Sequence, residues 1–127
     1  MSTVLLVEDD SRVAAVVARG LRRDGHELLL AEDGDLAAFL ASTGEVDLVV
    51  LDMGLSSQSG ADALISLRRS STSPVVVLTP KDGPSDRAAC LASGASTFLT
   101  KPFSVSALRA EVRGQLGRAA VQMEATG

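Results

Sequence analysis

Five short runs of apolar residues recur along the chain, and segments with helical periodicity separate them. The runs at 47–51 and 74–78 read DLVVL and PVVVL, and they are continuous and β-branched, as strands buried on both faces are. The other three runs lie at 3–7, 27–31 and 96–100. The pattern therefore predicts five strands in a sheet that is covered by helices.

The segments between the runs predict five helices. Ser11 is placed to cap the first, whose apolar positions 13, 16, 17 and 21 have helical spacing, and Gly25 follows its end. The second helix is predicted to begin at Asp33 or Gly34 and to carry the apolar residues Leu36, Ala37, Phe39 and Leu40. The third begins near Ala61, the fourth ends at Gly94, and the fifth begins near Ser104. Strands that alternate with helices through short links predict a doubly wound α/β domain with a parallel sheet and right-handed crossovers.

Length and composition narrow the class of protein. A chain of 127 residues fits one domain, which we expect over residues 1–118, followed by a tail at 119–127 that either extends the last helix or frays. The net charge of −4 argues against direct binding of nucleic acid. A single cysteine excludes an intrachain disulfide, and no apolar segment is long enough to span a membrane. We therefore expect a cytoplasmic domain that contacts neither nucleic acid nor membrane.

Polar and charged residues follow four of the five predicted strands. They are Glu8, Asp9 and Asp10 after the first strand, Asp52 after the third, Thr79 after the fourth and Lys101 after the fifth. In such folds ligands bind beyond the carboxyl ends of the strands, where the strand order reverses. With the strand order 2-1-3-4-5, these four strand ends would be neighbours and would form one acidic pocket with a hydroxyl and an ammonium at its rim.

This set of side chains suits metal-assisted phosphoryl chemistry. Carboxylates without histidine or cysteine ligands suit Mg²⁺, and a cation would relieve the repulsion between them. Asp52 could act as a nucleophile on phosphorus and form an acyl phosphate. The hydroxyl of Thr79 and the ammonium of Lys101 are suitable groups to neutralise a phosphoryl group.

Four stretches in this order resemble one known family. VLLVEDD, DLVVLDMGLSSQSG, VVVLT and GASTFLTKPF are similar to the motifs of the receiver domain of two-component response regulators, from residue 3 to about residue 118. The stretch from residue 86 to residue 116 looks most like receivers of the winged-helix (OmpR/PhoB-like) subfamily, in which a DNA-binding domain follows. The resemblance implies a flavodoxin-like fold with five parallel strands in the order 2-1-3-4-5 and five helices.

The resemblance also implies a role for each site residue. Asp52 would accept a phosphoryl group from a histidine kinase or phosphotransfer protein, and the domain would catalyse only its own phosphorylation and dephosphorylation. Mg²⁺ would be held by Asp9, Asp52 and the carbonyl of Gly54, with Glu8 acting through water. The phosphoryl-binding and switch residues would be Thr79, Lys101 and Phe98, and Lys101–Pro102 would be a cis peptide.

Phosphorylation would then change a surface formed by the fourth helix, the fifth strand and the fifth helix. That surface would serve a downstream effector or a DNA-binding domain, which is absent from these 127 residues. Phosphoryl on Asp52 would draw Thr79 inward, and Phe98 would follow.

Several positions depart from the family pattern. Pro80 follows Thr79, and a proline has no N–H to donate to a phosphoryl group. Ser56 stands where the family usually has proline. Ala107 and Glu111 stand where a glutamate and an arginine are common, although Arg87 is retained. The reciprocal ion pairs of the usual dimer have therefore lost most of their partners.

Two other functions compete with a phosphorylated receiver. A receiver-like interaction module that works without phosphorylation is supported by Pro80 and Ser56. A phosphatase with Asp52 as nucleophile is disfavoured, because Gly54 stands where such enzymes commonly carry a second aspartate.

Overall fold

The computed structural model describes residues 2–55, 59–80 and 84–126, without the side chains of 84–86 and 122–126, so Ser56 lies outside the described residues. Strands and helices alternate throughout. The strands are β1 (Thr3–Val7), β2 (Glu27–Ala31), β3 (Leu48–Asp52), β4 (Val75–Thr79) and β5 (Thr97–Thr100). The helices are α1 (Ser11–Arg23), α2 (Gly34–Ser42), α3 (Gly60–Ser70), α4 (Pro84–Ala92) and α5 (Val105–Thr126).

The strands form one parallel sheet in the order β2-β1-β3-β4-β5. This confirms the predicted doubly wound fold with five strands and five helices. The strand order reverses between β1 and β3, since the chain first builds outward to β2 and then crosses β1 to continue on its other side. A binding site is therefore expected at the carboxyl edge beside β1 and β3.

Helices cover both faces of the sheet. α1 and α5 pack on one face through buried residues that include Val17, Leu21, Leu108 and Val112. α2 and α3 cover the other face, where Cys90 of α4 also packs. β3 and β4 are buried along their whole length, as their continuous apolar sequences predict. In the part of the chain that is described, no helix is both long and apolar enough to cross a membrane.

Some local predictions were wrong. β3 and β4 each begin and end one residue later than predicted. Asp10 caps α1 in place of Ser11, because its Oδ1 accepts the N–H groups of Arg12 at 2.9 Å and Val13 at 3.3 Å. Phe39, predicted on the apolar face of α2, is 67% exposed. The last helix continues through residue 126.

Candidate functional site

The sheet brings the ends of β1, β3, β4 and β5 to one edge. Val7 pairs with Leu51, so the next residues, Glu8 and Asp52, lie side by side. On the other side of β3, the N–H of Met53 donates to the carbonyl of Leu78 at 2.9 Å. The shared edge is therefore built by the parallel register of the strands.

β4 and β5 complete this edge. Thr79 pairs with Thr100, and the N–H of Lys101 donates to the carbonyl of Thr79 at 2.8 Å. These backbone bonds hold the start of the Lys101 side chain beyond β5. That side chain reaches across β4 to Asp52 at the end of β3.

Asp52 is the centre of the arrangement. It is 3% exposed, and its Oδ1 accepts a hydrogen bond from Lys101 Nζ at 2.5 Å. The same oxygen accepts the N–H of Gly54 at 2.8 Å. A buried carboxylate is stable only when it is paired or hydrogen-bonded, and here both conditions are met.

A second carboxyl group shares this buried space. Burial first, and then the hydrogen bond and negative charge of Asp52, raise the pKa of Glu8 to about 8. Burial alone would raise the pKa of Asp52 too, but hydrogen bonds from Glu8 and Lys101 outweigh it and hold that pKa below its ordinary value. The opposite shifts favour the negative charge of the pair on Asp52, and the hydrogen bond between the two carboxyl groups and the ammonium of Lys101 stabilise it there.

The donors at this edge fit a hard divalent cation. Glu8 is 6% exposed, and its Oε2 is buried without a hydrogen-bond partner among the described residues. A cation, or water bound to it, would satisfy that oxygen. Within the described residues, no group of three or more His, Cys, Asp and Glu side chains is placed to hold a metal ion. Main-chain carbonyls and water would therefore supply ligands, as is usual for Mg²⁺.

The other candidate site residues lie on or just beyond β1, β4 and β5. Thr79 is 5% exposed at the end of β4, and Asp9 is half-buried just beyond β1. Phe98 is half-buried on β5 and packs against the core. The Lys101–Pro102 peptide bond is cis.

The sequence reasoning missed two contributions of glycine. The carbonyl of Gly54 remains a predicted metal ligand, and the structure adds that the N–H of Gly54 donates to Asp52 Oδ1. A Cβ at Gly60 would come within 2.5 Å of the Cα of Met53, so the start of α3 approaches the residue after Asp52 too closely for any side chain. The available signal was the glycine at position 60, eight residues after Asp52.

A groove of about 820 Å³ lies at the opposite edge of the sheet, beside the amino ends of β3 and β4. Its polar groups serve the fold. The hydroxyl of Ser73 donates to the carbonyl of Val46 at 2.6 Å, and Ser96 Oγ accepts the N–H of Val75 at 3.1 Å. The groove lacks the clustered charges of the Asp52 edge.

Comparison with known proteins gives the family. The model of the response regulator receiver domain matches residues 4–113. The chain belongs to this receiver-domain family. The resemblance seen in the sequence motifs is thereby confirmed, and this family is not a classical family of enzymes.

Curated relatives of the receiver domain are regulators roughly twice its length. It is 43% identical over 111 residues to the response regulator protein PmrA of Pseudomonas aeruginosa, covering 87% of this chain and 50% of that protein. It is 39% identical over 113 residues to the transcriptional regulatory protein HprR of Escherichia coli, with coverage of 89% and 51%. The receiver domain thus spans about half the length of the curated relatives it matches.

Solved structures agree with this fold. The receiver domain of the Francisella response regulator 1452 matches with a TM-score of 0.86 and 30% identity, covering 94% of this chain and 99% of that one. The receiver domain of the sensor histidine kinase PA1611 from Pseudomonas aeruginosa PAO1 matches with a TM-score of 0.80 and 28% identity, covering 91% and 98%. That structure has a magnesium ion coordinated in its active site cleft.

Proposed function

We propose that this receiver domain accepts a phosphoryl group on Asp52 from a histidine kinase or phosphotransfer protein. The observation that carries the proposal is the buried carboxylate of Asp52, which lies between Lys101 and Glu8 at the carboxyl edge of the sheet. A carboxylate beside a fixed ammonium group is suited to attack on phosphorus.

Transfer forms one bond and breaks one. An oxygen of the Asp52 carboxylate attacks the phosphorus of a phosphohistidine, a P–O bond forms, and the P–N bond breaks. The imidazole nitrogen leaves with the electron pair and takes a proton from solvent. The ammonium of Lys101 moves from the carboxylate to the phosphoryl oxygens, and the hydroxyl of Thr79 can donate to another of them.

Mg²⁺ fits the same edge. Asp9, Asp52 and the carbonyl of Gly54 would hold the ion, with Glu8 acting through water. When bound, the ion would neutralise charge on the phosphoryl group. The unpartnered Oε2 of Glu8 and the all-oxygen donor set support this assignment. The magnesium ion in the cleft of the PA1611 receiver supports it from a relative of the same fold.

The domain passes on its signal by a change in the surface that α4, β5 and α5 form. Phosphoryl on Asp52 draws Thr79 inward, Phe98 follows, and the surface of α4, β5 and α5 changes for a downstream effector or a DNA-binding domain. The chain has one cysteine and so no intrachain disulfide, which is consistent with a function in the reducing cytoplasm.

The test uses a small acyl phosphate as donor, with Mg²⁺, and intact-mass measurement. The wild type should gain the mass of one phosphoryl group, and Asp52→Asn should gain none. Asp35→Asn is the matched control, since Asp35 is an exposed acid on α2, and it should behave as the wild type does. Absence of a mass gain in the wild type, or a gain that persists in Asp52→Asn, would contradict the proposal.

A further inference from the structure

The guanidinium of Arg87 lies over the ring of Phe98. Arg87 is an exposed residue of α4, and its Cζ is 4.9 Å from the ring centroid. A cation within about 6 Å of an aromatic centroid is attracted by the negative face of the ring. This contact therefore joins α4 to β5 at the residue that the family resemblance makes the aromatic switch.

Phe98 is held from two directions. Its ring packs against the core cluster beneath α2, α3 and α4, and Arg87 covers it from the surface. On β4 its partner in the sheet is Val77, two residues before Thr79. Arg87 is exposed, so a movement of the ring inward toward Thr79 would take it away from the guanidinium, and we expect this movement to weaken the cation–π contact.

Within the described residues, no carboxylate forms an ion pair with Arg87. Glu111 of α5 accepts a hydrogen bond from the hydroxyl of Thr97 at 3.0 Å. Ala107 has no charge to offer. The ring of Phe98 is therefore the group that fixes the Arg87 side chain.

We propose that Arg87 is a positioning residue that holds Phe98 in its half-buried place and so opposes the switch. The consequence for switching rests on the proposed function, since phosphoryl on Asp52 drives the movement of Phe98. A contact made in only one of two states shifts their equilibrium by its own strength. An exposed cation–π contact corresponds to a shift of about two- to fivefold.

The contact can be measured in the unmodified protein. The chain has three Phe, no Trp and no Tyr, so labelling with 4-fluorophenylalanine gives one fluorine resonance for each of Phe39, Phe98 and Phe103. Single Phe→Leu variants assign them. Arg87→Gln should shift the Phe98 resonance and leave the Phe39 and Phe103 resonances in place.

The effect on switching can be measured with beryllofluoride, a phosphoryl mimic, and Mg²⁺. Arg87→Gln should lower the dissociation constant of beryllofluoride about two- to fivefold, and Arg87→Lys should lower it less. Arg19→Gln is the matched control, an exposed arginine on α1, and it should change nothing. In a Phe98→Leu background, Arg87→Gln should have no further effect, because the ring that it acts through is gone.

The two readouts separate the outcomes. If the chemical shift of Phe98 is the same in Arg87→Gln as in the wild type, the contact between the two residues is contradicted. If the Phe98 resonance shifts but the beryllofluoride affinity is unchanged, Arg87 contacts Phe98 but does not oppose the switch. A phosphoryl mass gain in the same samples would leave the proposed function standing. If the wild type neither gains phosphoryl mass nor binds beryllofluoride, the proposed function fails, and the role of Arg87 in switching fails with it.

Discussion

Pro80 is the residue whose chemistry departs most from what a phosphoryl group needs. It follows the buried Thr79, and it has no backbone N–H. A hydrogen bond to a charged group contributes about 1.5–3 kcal/mol. We therefore expect Pro80→Ala to lower the dissociation constant of beryllofluoride by about tenfold or more, as titration in the presence of Mg²⁺ would show.

A second substitution separates the missing donor from stiffness of the backbone. Pro80→Gly restores the same N–H but leaves the backbone freer than alanine does. If the donor is what matters, both variants tighten binding equally. Binding that improves only with glycine would assign the effect to stiffness, and unchanged binding in both variants would contradict the prediction.

Asp24 makes an ion pair that should appear in the pH dependence of stability. Arg109 Nε and Nη2 donate to its two oxygens at 3.0 Å and 2.5 Å. The hydrogen bond from Arg109 is the main cause that lowers the pKa of Asp24 from its ordinary value of 3.8. A lowered pKa in the folded state stabilises the protein above the ordinary value, and this stability is lost as the pH falls through the folded pKa.

Urea unfolding between neutral pH and about pH 3 would show this dependence. Asp24→Asn should lose less stability on acidification than the wild type does, because the group that becomes protonated is gone. Glu45→Gln, which changes an exposed acid in a loop, is the matched control and should retain the wild-type slope. Equal acid slopes for Asp24→Asn and the wild type would contradict the prediction.

At the scale of elements, α1 and α5 approach each other closely at a glycine. Gly20 of α1 is buried, and a Cβ there would overlap Cγ1 of Val105 at the start of α5. Gly117 of α5 has no atom within 4 Å of such a Cβ. The same substitution should therefore have opposite effects at the two positions.

Gly20→Ala should destabilise the fold by about 1–2 kcal/mol, since overpacking outweighs the helical preference of alanine. Gly117→Ala should stabilise it by up to about 1 kcal/mol, because only the helical preference acts. Free energies of unfolding from urea titration would measure both. A stabilising Gly20→Ala would show that α5 can shift at no cost.

Elements were predictable where their sequence pattern is local. The continuous β-branched runs of β3 and β4 require burial on both faces, and this requirement alone selects a central place in a parallel sheet. The cap of α1 was not predictable in the same way, because Asp10 and Ser11 are both good caps and only the backbone path chooses between them. Exposure of Phe39 was missed because apolar spacing does not reveal which side the next element covers.

At the scale of the molecule, the place of the candidate site followed from one rule. Parallel strands bring their carboxyl ends to one edge, so Glu8, Asp52 and Lys101 could be placed together without knowing any contact. The pairing of Arg109 with Asp24 and the stacking of Arg87 on Phe98 could not be predicted. They join side chains on different elements, and neither contact leaves a periodic signal in the sequence.

The surface of α4, β5 and α5 determines whether two copies of the chain can form the dimer that is usual in the family. The usual dimer of the family pairs charges across this surface, but Glu111 bonds Thr97 and Arg87 stacks on Phe98 within the chain. Ala107 offers no charge. Because complementary charges fix the pairing of such surfaces, we expect this dimer to be weak.

We therefore expect the beryllofluoride complex to sediment as the unliganded protein does, with no dimer formed through this surface. Sedimentation velocity with and without the mimic would measure it. A dimer that forms with beryllofluoride and is lost in both Arg87→Gln and Glu111→Gln would contradict the prediction, because both variants alter this surface, where Arg87 contacts Phe98 and Glu111 bonds Thr97. A dimer that survives both variants is held by other contacts, and cross-linking would show whether it forms through this surface, which would contradict the prediction, or through another.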